Sequence, residues 1–388
     1  MSKVKTKAHA WLLFFALFVC VLWPFYQVEA QESEETHEVK QRLEKIEELE
    51  EDEKDELDIT PAFLRPFVDR ATLHGFVELN FDYIDPSDIE DEDSESTSEL
   101  YVNSVELALR VFFNEWVKTK IVVNAEDLGK GDETEEIKLD EAIVTLESPW
   151  IPMYFIGGKT VLPFGVFEDR MISGTITEDL YEIDDWGVIL VFATDFCGLD
   201  ISISVYEGQN IIENLEDFGA HEFSPDRKKE DGVDSFIANV TLEPMAELLN
   251  LAAFYENEPG DGNRNQSLGG ALTFNVWKFI LDAEFITALE REKGANGEEN
   301  KENAWFVALA FQPFEKLELA TRYEDFDDDV SGDQDEILDY RYSAGLNYSF
   351  SDFNIFSFEY RHSKFEKEKG SHAADDQDEF FFQLALGF

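Results

Sequence analysis

The chain closes on a run whose side chains alternate. Phe380, Phe382, Leu384, Leu386 and Phe388 share one parity, and Phe381, Gln383, Ala385 and Gly387 the other. A period of two is that of a strand with one apolar face. A last strand that ends on an outward aromatic at the membrane–water interface is how bacterial outer-membrane β-barrels finish. Phe388 is therefore read as a membrane-assembly signal, the residue that barrel-assembly machinery would engage.

The same alternation recurs back to about residue 72. The first strand sets Gly75, Val77, Leu79, Phe81 and Tyr83 against Glu78, Asn80 and Asp82. The second sets Val105, Leu107, Leu109 and Val111 against Ser104, Glu106, Ala108 and Arg110. The third sets Val117, Thr119, Ile121 and Val123 against Lys118, Lys120, Asn124 and Glu126. Further strands are predicted near 137–147, 153–162, 185–194, 199–207, 234–243, 248–256, 267–276, 279–288, 303–311, 316–324, 338–350, 354–364 and 379–388. The total is about sixteen, most close to the ~9–11 residues of a tilted spanning strand. Short turns are expected at Asn114-Glu115, Ser148-Pro149-Trp150, Phe196-Cys197-Gly198, Glu243-Pro244, Gln312-Pro313 and Ser351-Asp352. The intervening stretches 85–98, 127–135, 163–184, 208–232, 257–266, 290–302, 325–337 and 365–378 are long, polar and mostly acidic. The fold class predicted is an all-β transmembrane barrel of about sixteen antiparallel strands over 71–388. Its short turns and termini would be periplasmic and its long loops extracellular. A soluble sandwich would not sort its turns by length in this way.

Composition fits that reading. The chain carries 35 Phe and 7 Trp beside 86 acidic residues. In a barrel the aromatics face lipid and the charge goes to lumen and loops. Lys3, Lys5 and Lys7 before the apolar run Trp11 to Leu22, then Val28-Glu29-Ala30, predict a signal peptide over 1–30. Loss of its three Lys and one Glu would take the formal charge from −55 to −57. Such acidity argues against nucleic acid as a partner. Val19 is too large for the small residue that lipid attachment at Cys20 would require. Cys197 would then be the remaining cysteine, in a turn and without a disulfide partner.

Residues 31–70 form an acidic arm in front of the barrel. Val39, Leu43, Ile46 and Leu49 hold helical spacing, yet over 31–60 fourteen acids face four bases and repel. The arm reads either as a short periplasmic coiled coil, which would make a homotrimer, or as a disordered solvated tail. The seam spans barely two heptads. Pro61 and Pro66 close it before the first strand.

Among the long connections, 163–184 is less acidic and more apolar than its neighbours and carries Phe164, Phe167 and Met171. It either packs on the rim or folds into the lumen as a constriction. Pore-lining or constriction candidates are Lys159, Phe164, Arg170, Arg110, Lys118, Lys120, Arg322, Glu126 and Asp200. Cations at 159 and 170 against an acidic wall would set a field across the opening. Other inward-facing charges expected are Glu78, Asp82, Glu106, Asp282, Glu284, Glu318, Glu324 and Arg341. Their opposite signs partly cancel, so the acidic loop mouths should give cation preference at low salt.

Leu73-His74-Gly75-Phe76-Val77-Glu78, Leu139 to Leu146 and Ile156-Gly157-Gly158-Lys159-Thr160-Val161-Leu162-Pro163-Phe164-Gly165 resemble the LbtU-type siderophore porin family. The likeness spans the mature chain and is strongest over 73–205. The Gly-Lys-x-x-x-Pro-Phe-Gly stretch is also similar to the phosphate-selective porins. The resemblance implies an outer-membrane protein that assists siderophore passage and iron uptake, with no binding residues to carry over. A siderophore or other small hydrophilic solute, together with outer-membrane lipid, would be its partners. Energy-coupled receptors use 22 strands and a plug; this chain has neither, so passage would be by diffusion or with a partner.

Enzyme and cofactor signatures are absent. His37, His74, His221, His362 and His372 are scattered without zinc-ligand spacing, and no Gly-x-Ser-x-Gly occurs. Asp325-x-Asp327-x-Asp329 with Glu336 imitates a calcium loop but has Val330 where Gly is required. No enzyme, metal or cofactor is predicted. The alternatives to a siderophore-assisting channel are a general cation-preferring or phosphate-porin-like diffusion channel, and a structural or adhesive surface barrel.

Overall fold

The computed structural model describes residues 70–87, 96–131, 136–167, 170–194, 196–220, 232–294, 297, 299, 301–328, 338–351, 353–365 and 376–387. The proposed signal peptide, the acidic arm up to residue 69, the Glu90-Asp91-Glu92-Asp93 stretch, Phe388 and most of the calcium-like loop lie outside them.

Sixteen strands close into one antiparallel barrel, each paired with its sequence neighbours and β1 (Arg70–Ser87) sealed to β16 (Asp376–Gly387). The closing seam is the alternation seen at the C-terminus. Val77 stands beside Leu386, Phe81 beside Phe382 and Tyr83 beside Phe380. The last two pairs bring ring centroids within 5.9 and 6.1 Å on the outer face. Outward positions around the wall stay open to the surroundings, among them Leu107, Ile203, Leu268, Phe285 and Leu309. Burial of these outward positions is left to lipid.

The remaining strands are β2 (Thr97–Asn114), β3 (Val117–Leu128), β4 (Glu136–Glu147), β5 (Met153–Val161), β6 (Asp184–Thr194), β7 (Leu199–Tyr206), β8 (Ser235–Met245) and β9 (Leu249–Glu258). They continue with β10 (Asn265–Val276), β11 (Phe279–Glu290), β12 (Glu302–Phe314), β13 (Leu317–Asp328), β14 (Leu338–Ser351) and β15 (Asn354–Phe365). Two expectations shift for stated reasons. Strand β2 runs further than its simple alternation, because its register against β1 slips between Glu78 and Leu79. The extra residue turns both Asn103 and Ser104 inward, where they bond Glu78 (2.7 Å) and Asn124 (2.8 Å). The turns expected at Pro244 and Pro313 fall a few residues later, after Met245 and Phe314. Both prolines sit where the register breaks, Leu242/Met245 and Phe311/Phe314, since a residue without N–H is tolerated at a bulge.

Two helices, α1 (Ile176–Tyr181) and α2 (Asn210–Asp217), come from connections expected to be plain loops. A Thr-x-x-Glu box starts α1: Glu178 N–H donates to Thr175 Oγ1 (3.1 Å) and Thr175 N–H to Glu178 Oε2 (3.2 Å). Ile176, Leu180 and Tyr181 of α1 and Ile211, Ile212 and Leu215 of α2 are fully or almost fully buried. They pack with Phe164, Leu162, Ile189, Ile237, Phe254 and Ile286 into one apolar cluster. Since Ile189, Ile237, Phe254 and Ile286 stand on inward parity, this core lies inside the barrel, against β6 to β12. The lumen is thus partly filled.

Candidate functional site

The segment between β5 and β6 crosses the barrel interior along its far wall. Phe164 anchors its start, wholly buried, with its ring edge-on to Phe254 at 5.1 Å and to Tyr181 at 6.2 Å. Gly165 then turns the chain at φ +92°, open to glycine at little cost. From there the wall's acids hold the backbone. Glu284 on β11 accepts from Val166 N–H (2.6 Å), and Asp282 from Arg170 Nε (3.1 Å). Glu318 on β13 takes Arg170 Nη1 (3.2 Å). Glu359 on β15 accepts from Ile172 N–H, Ser173 N–H (both 2.8 Å) and Ser173 Oγ (2.6 Å). Glu324 accepts from Ile176 N–H (2.7 Å).

Bases and an amide secure the carbonyls. Arg322 donates to Ser173 O and Gly174 O (both 3.0 Å), Arg341 to Gly174 O (3.0 Å), and Asn347 to Arg170 O (2.9 Å). Arg341 and Arg322 also pair with Glu324, all three nearly or fully out of solvent. Where α1 ends, the Tyr181 hydroxyl donates to Glu302 (3.0 Å), itself paired with the fully buried Arg291. Burial, with Glu302 beside it, pushes that hydroxyl's pKa well up.

Two cavities flank the crossing at residues 170–173. One, of about 670 Å³, opens at the short-turn end and is lined by Glu78, Glu106, Arg110, Lys120, Glu318 and Gln383 with Arg170 and Met171. The other, of about 310 Å³, lies toward the long loops between Asp82, Tyr101, Arg361, Glu379 and Phe381, with Ile172 and Ser173. Both follow the wall made by β1, β2, β15 and β16. The larger is lined by four carboxylates and four cationic side chains, the smaller by three and two. The lining charge is therefore near balance, and part of it is paired: Arg361 with Glu379 across the smaller cavity, and Lys120 of the larger with Glu141.

The structure sorts the sequence-based candidates. Arg110, Lys120 and Arg170 line the larger cavity. Lys118 and Glu126 face inward on β3, Glu126 bonded to Lys138 and to Asn124 (2.8 Å). Asp200 lines a third cavity against β5 to β8. Three assignments are corrected. Phe164 lines no opening but anchors the crossing segment, because apolar neighbours bury it completely. Arg322 is 2% exposed and holds backbone rather than facing water. Lys159 sits in register with outward Trp186 and gives its ammonium to Asp184 and to Asp140 O (3.2 Å), away from the crossing. Glu359, Asn347 and Arg291 were not singled out from the sequence. An acid on the inward parity of β15 was the available signal for Glu359; nothing local distinguished Arg291.

The barrel's strand number, order and inward-folded segment define the fold of the sixteen-stranded porins. Solved structures agree. An anion-selective porin from Comamonas acidovorans aligns with a TM-score of 0.61 at 11% identity, over 82% of this chain and 99% of that one. The outer-membrane channel DcaP of Acinetobacter baumannii gives 0.60 at 14% identity, over 82% and 97%. Salmonella typhi OmpF, in complex with daunomycin, gives 0.59 at 12% identity, over 86% and 100%. No family model matches the sequence. No curated protein matches it either. At these identities the likeness is one of fold.

Proposed function

We propose that this protein is a passive outer-membrane channel whose residues 163–167 and 170–183 narrow the lumen. Small hydrophilic solutes would cross along the wall of β1, β2, β15 and β16. The observation that carries this reading is the pair of cavities meeting on opposite sides of residues 170–173. Sixteen-stranded barrels leave an aqueous passage, and here one side of the interior is filled by apolar packing while the side along β1, β2, β15 and β16 keeps a polar lining. The short turns face the periplasm and the long acidic loops the outside, as in barrels of this kind.

Since lining charge nearly cancels, the mouths govern selectivity. In planar bilayers we expect cation preference at low ionic strength that fades as salt rises past roughly 0.1 M, where screening falls to ~10 Å. Anion selectivity at every salt concentration would instead assign control to Arg170 with Arg110 and Lys120. Siderophore passage is the finer reading, resting on the stretches 73–78, 139–146 and 156–165 that resemble the siderophore porins. Siderophore-dependent block of the current supports it, steady unblocked current supports a general porin, and no current supports a structural barrel.

A further inference from the structure

The third cavity departs from what a polar lumen needs. It measures about 380 Å³ and lies beneath residues 162–167, against the inner faces of β5 to β8. Its walls are Ile156, Val166, Phe167, Ile189 and Val191. Asp200 is the one charged side chain among those lining it. Asp200 stands opposite Thr241 in the β7–β8 register, near the short-turn end of the barrel. Asn239, also in the lining, already donates to Pro163 O (2.9 Å), so the polar side chains left to a ligand are Asp200 with Tyr154, Ser202 and Thr241.

An apolar slot in contact with water is costly to leave open, and removing water from it gains roughly 25 cal/mol for each Å² covered. Ligand sites have this form, mostly apolar walls with a few polar groups that fix orientation. A cavity of roughly 150 Å³ lined by aliphatic and aromatic side chains already takes benzene. A carboxylate at the edge of such a slot selects charge, because it is stronger there than in bulk water. The site is also fixed on two sides. Phe164 holds the roof from above, and Glu284 clamps the Val166 N–H. The walls on β6 and β7 belong to the strands themselves.

We infer that this cavity binds a small aromatic cation, its ring between Ile156, Val166 and Phe167 and its ammonium on Asp200. The inference goes beyond the channel reading, since the cavity lies off the path beside β1, β2, β15 and β16. Binding is therefore tested without conduction. Calorimetric titration of 2-phenylethylammonium into the full chain in phospholipid nanodiscs should give saturable binding. Ethylammonium and 3-phenylpropionate should bind at least tenfold more weakly. Asp200→Asn, nearly isosteric, should weaken 2-phenylethylammonium at least tenfold while barrel assembly, read by heat-modifiable mobility, is unchanged. Val166→Ser should weaken the ring's share without affecting ethylammonium. Equal binding of uncharged 2-phenylethanol would overturn the inference in favour of an apolar occupant, as would unchanged affinity in Asp200→Asn. Conductance recorded in parallel keeps the two proposals apart: a conducting barrel that does not bind refutes this site alone, and a binding barrel that does not conduct refutes the channel alone.

Discussion

Single residues decide whether the crossing segment can leave β5 at all. Gly158 has φ +141°, and a Cβ there would lie 1.9 Å from Ala142 O of the paired strand. Gly158→Ala should therefore destabilise the barrel by about 2 kcal/mol or more, read by urea unfolding in lipid. An unchanged midpoint would mean the strand pair is not as close as described. Glu182, just beyond α1, has its pKa raised above its ordinary 4.5, first by burial and then by Asp184, Asp140 and Asp179. At low pH the carboxyl is protonated both folded and unfolded and costs nothing. As pH rises through the folded pKa, the charge must be held among like charges and stability falls. Glu182→Gln should accordingly raise the melting temperature at pH 7–8 and leave it unaltered near pH 4. A gain of equal size at both values would put the effect down to packing.

At the scale of elements, strands were legible and their interior contents were not. Alternation is a local signal, so inward and outward parity could be read for β1, β3, β11 and β16 from neighbouring residues alone. The bulge at Asn103 and the late turns after Pro244 and Pro313 depend on the partner strand, which no single segment reveals. The helices had signals that loop polarity masked. Thr175-x-x-Glu178 is a capping box, and Ile211, Ile212, Leu215 are spaced for one helical face. Of the site, Arg170, Arg110 and Lys120 were legible as inward cations. The roles of Phe164, Arg322 and Lys159 were not, because partners more than twenty residues away decide them. Phe164 gives the test at this scale. Phe164→Ala should cost about 3–5 kcal/mol and loosen residues 163–183, raising conductance and current noise. A variant as stable and as quiet as the parent would contradict its anchoring role.

Over the whole molecule, one side of the lumen holds the apolar cluster and the other the two polar cavities. The barrel supplies both from the same inward parity, with Ile237, Phe254 and Ile286 on one side and Asn80, Glu106 and Gln383 on the other. The crossing segment is the partition between them, clamped by Glu284, Glu318, Glu324 and Glu359. Its cost in ordered backbone is offset by charge-assisted hydrogen bonds in a partly desolvated interior. The most direct test is thiol modification during single-channel recording, in a Cys197→Ser background since Cys197 is exposed. Gln383→Cys, beside the larger cavity, should lose more than half its current when a charged methanethiosulfonate reagent is added. Ala271→Cys, inward but packed against the apolar cluster, should lose none. Current lost at 271 and kept at 383 would contradict the account.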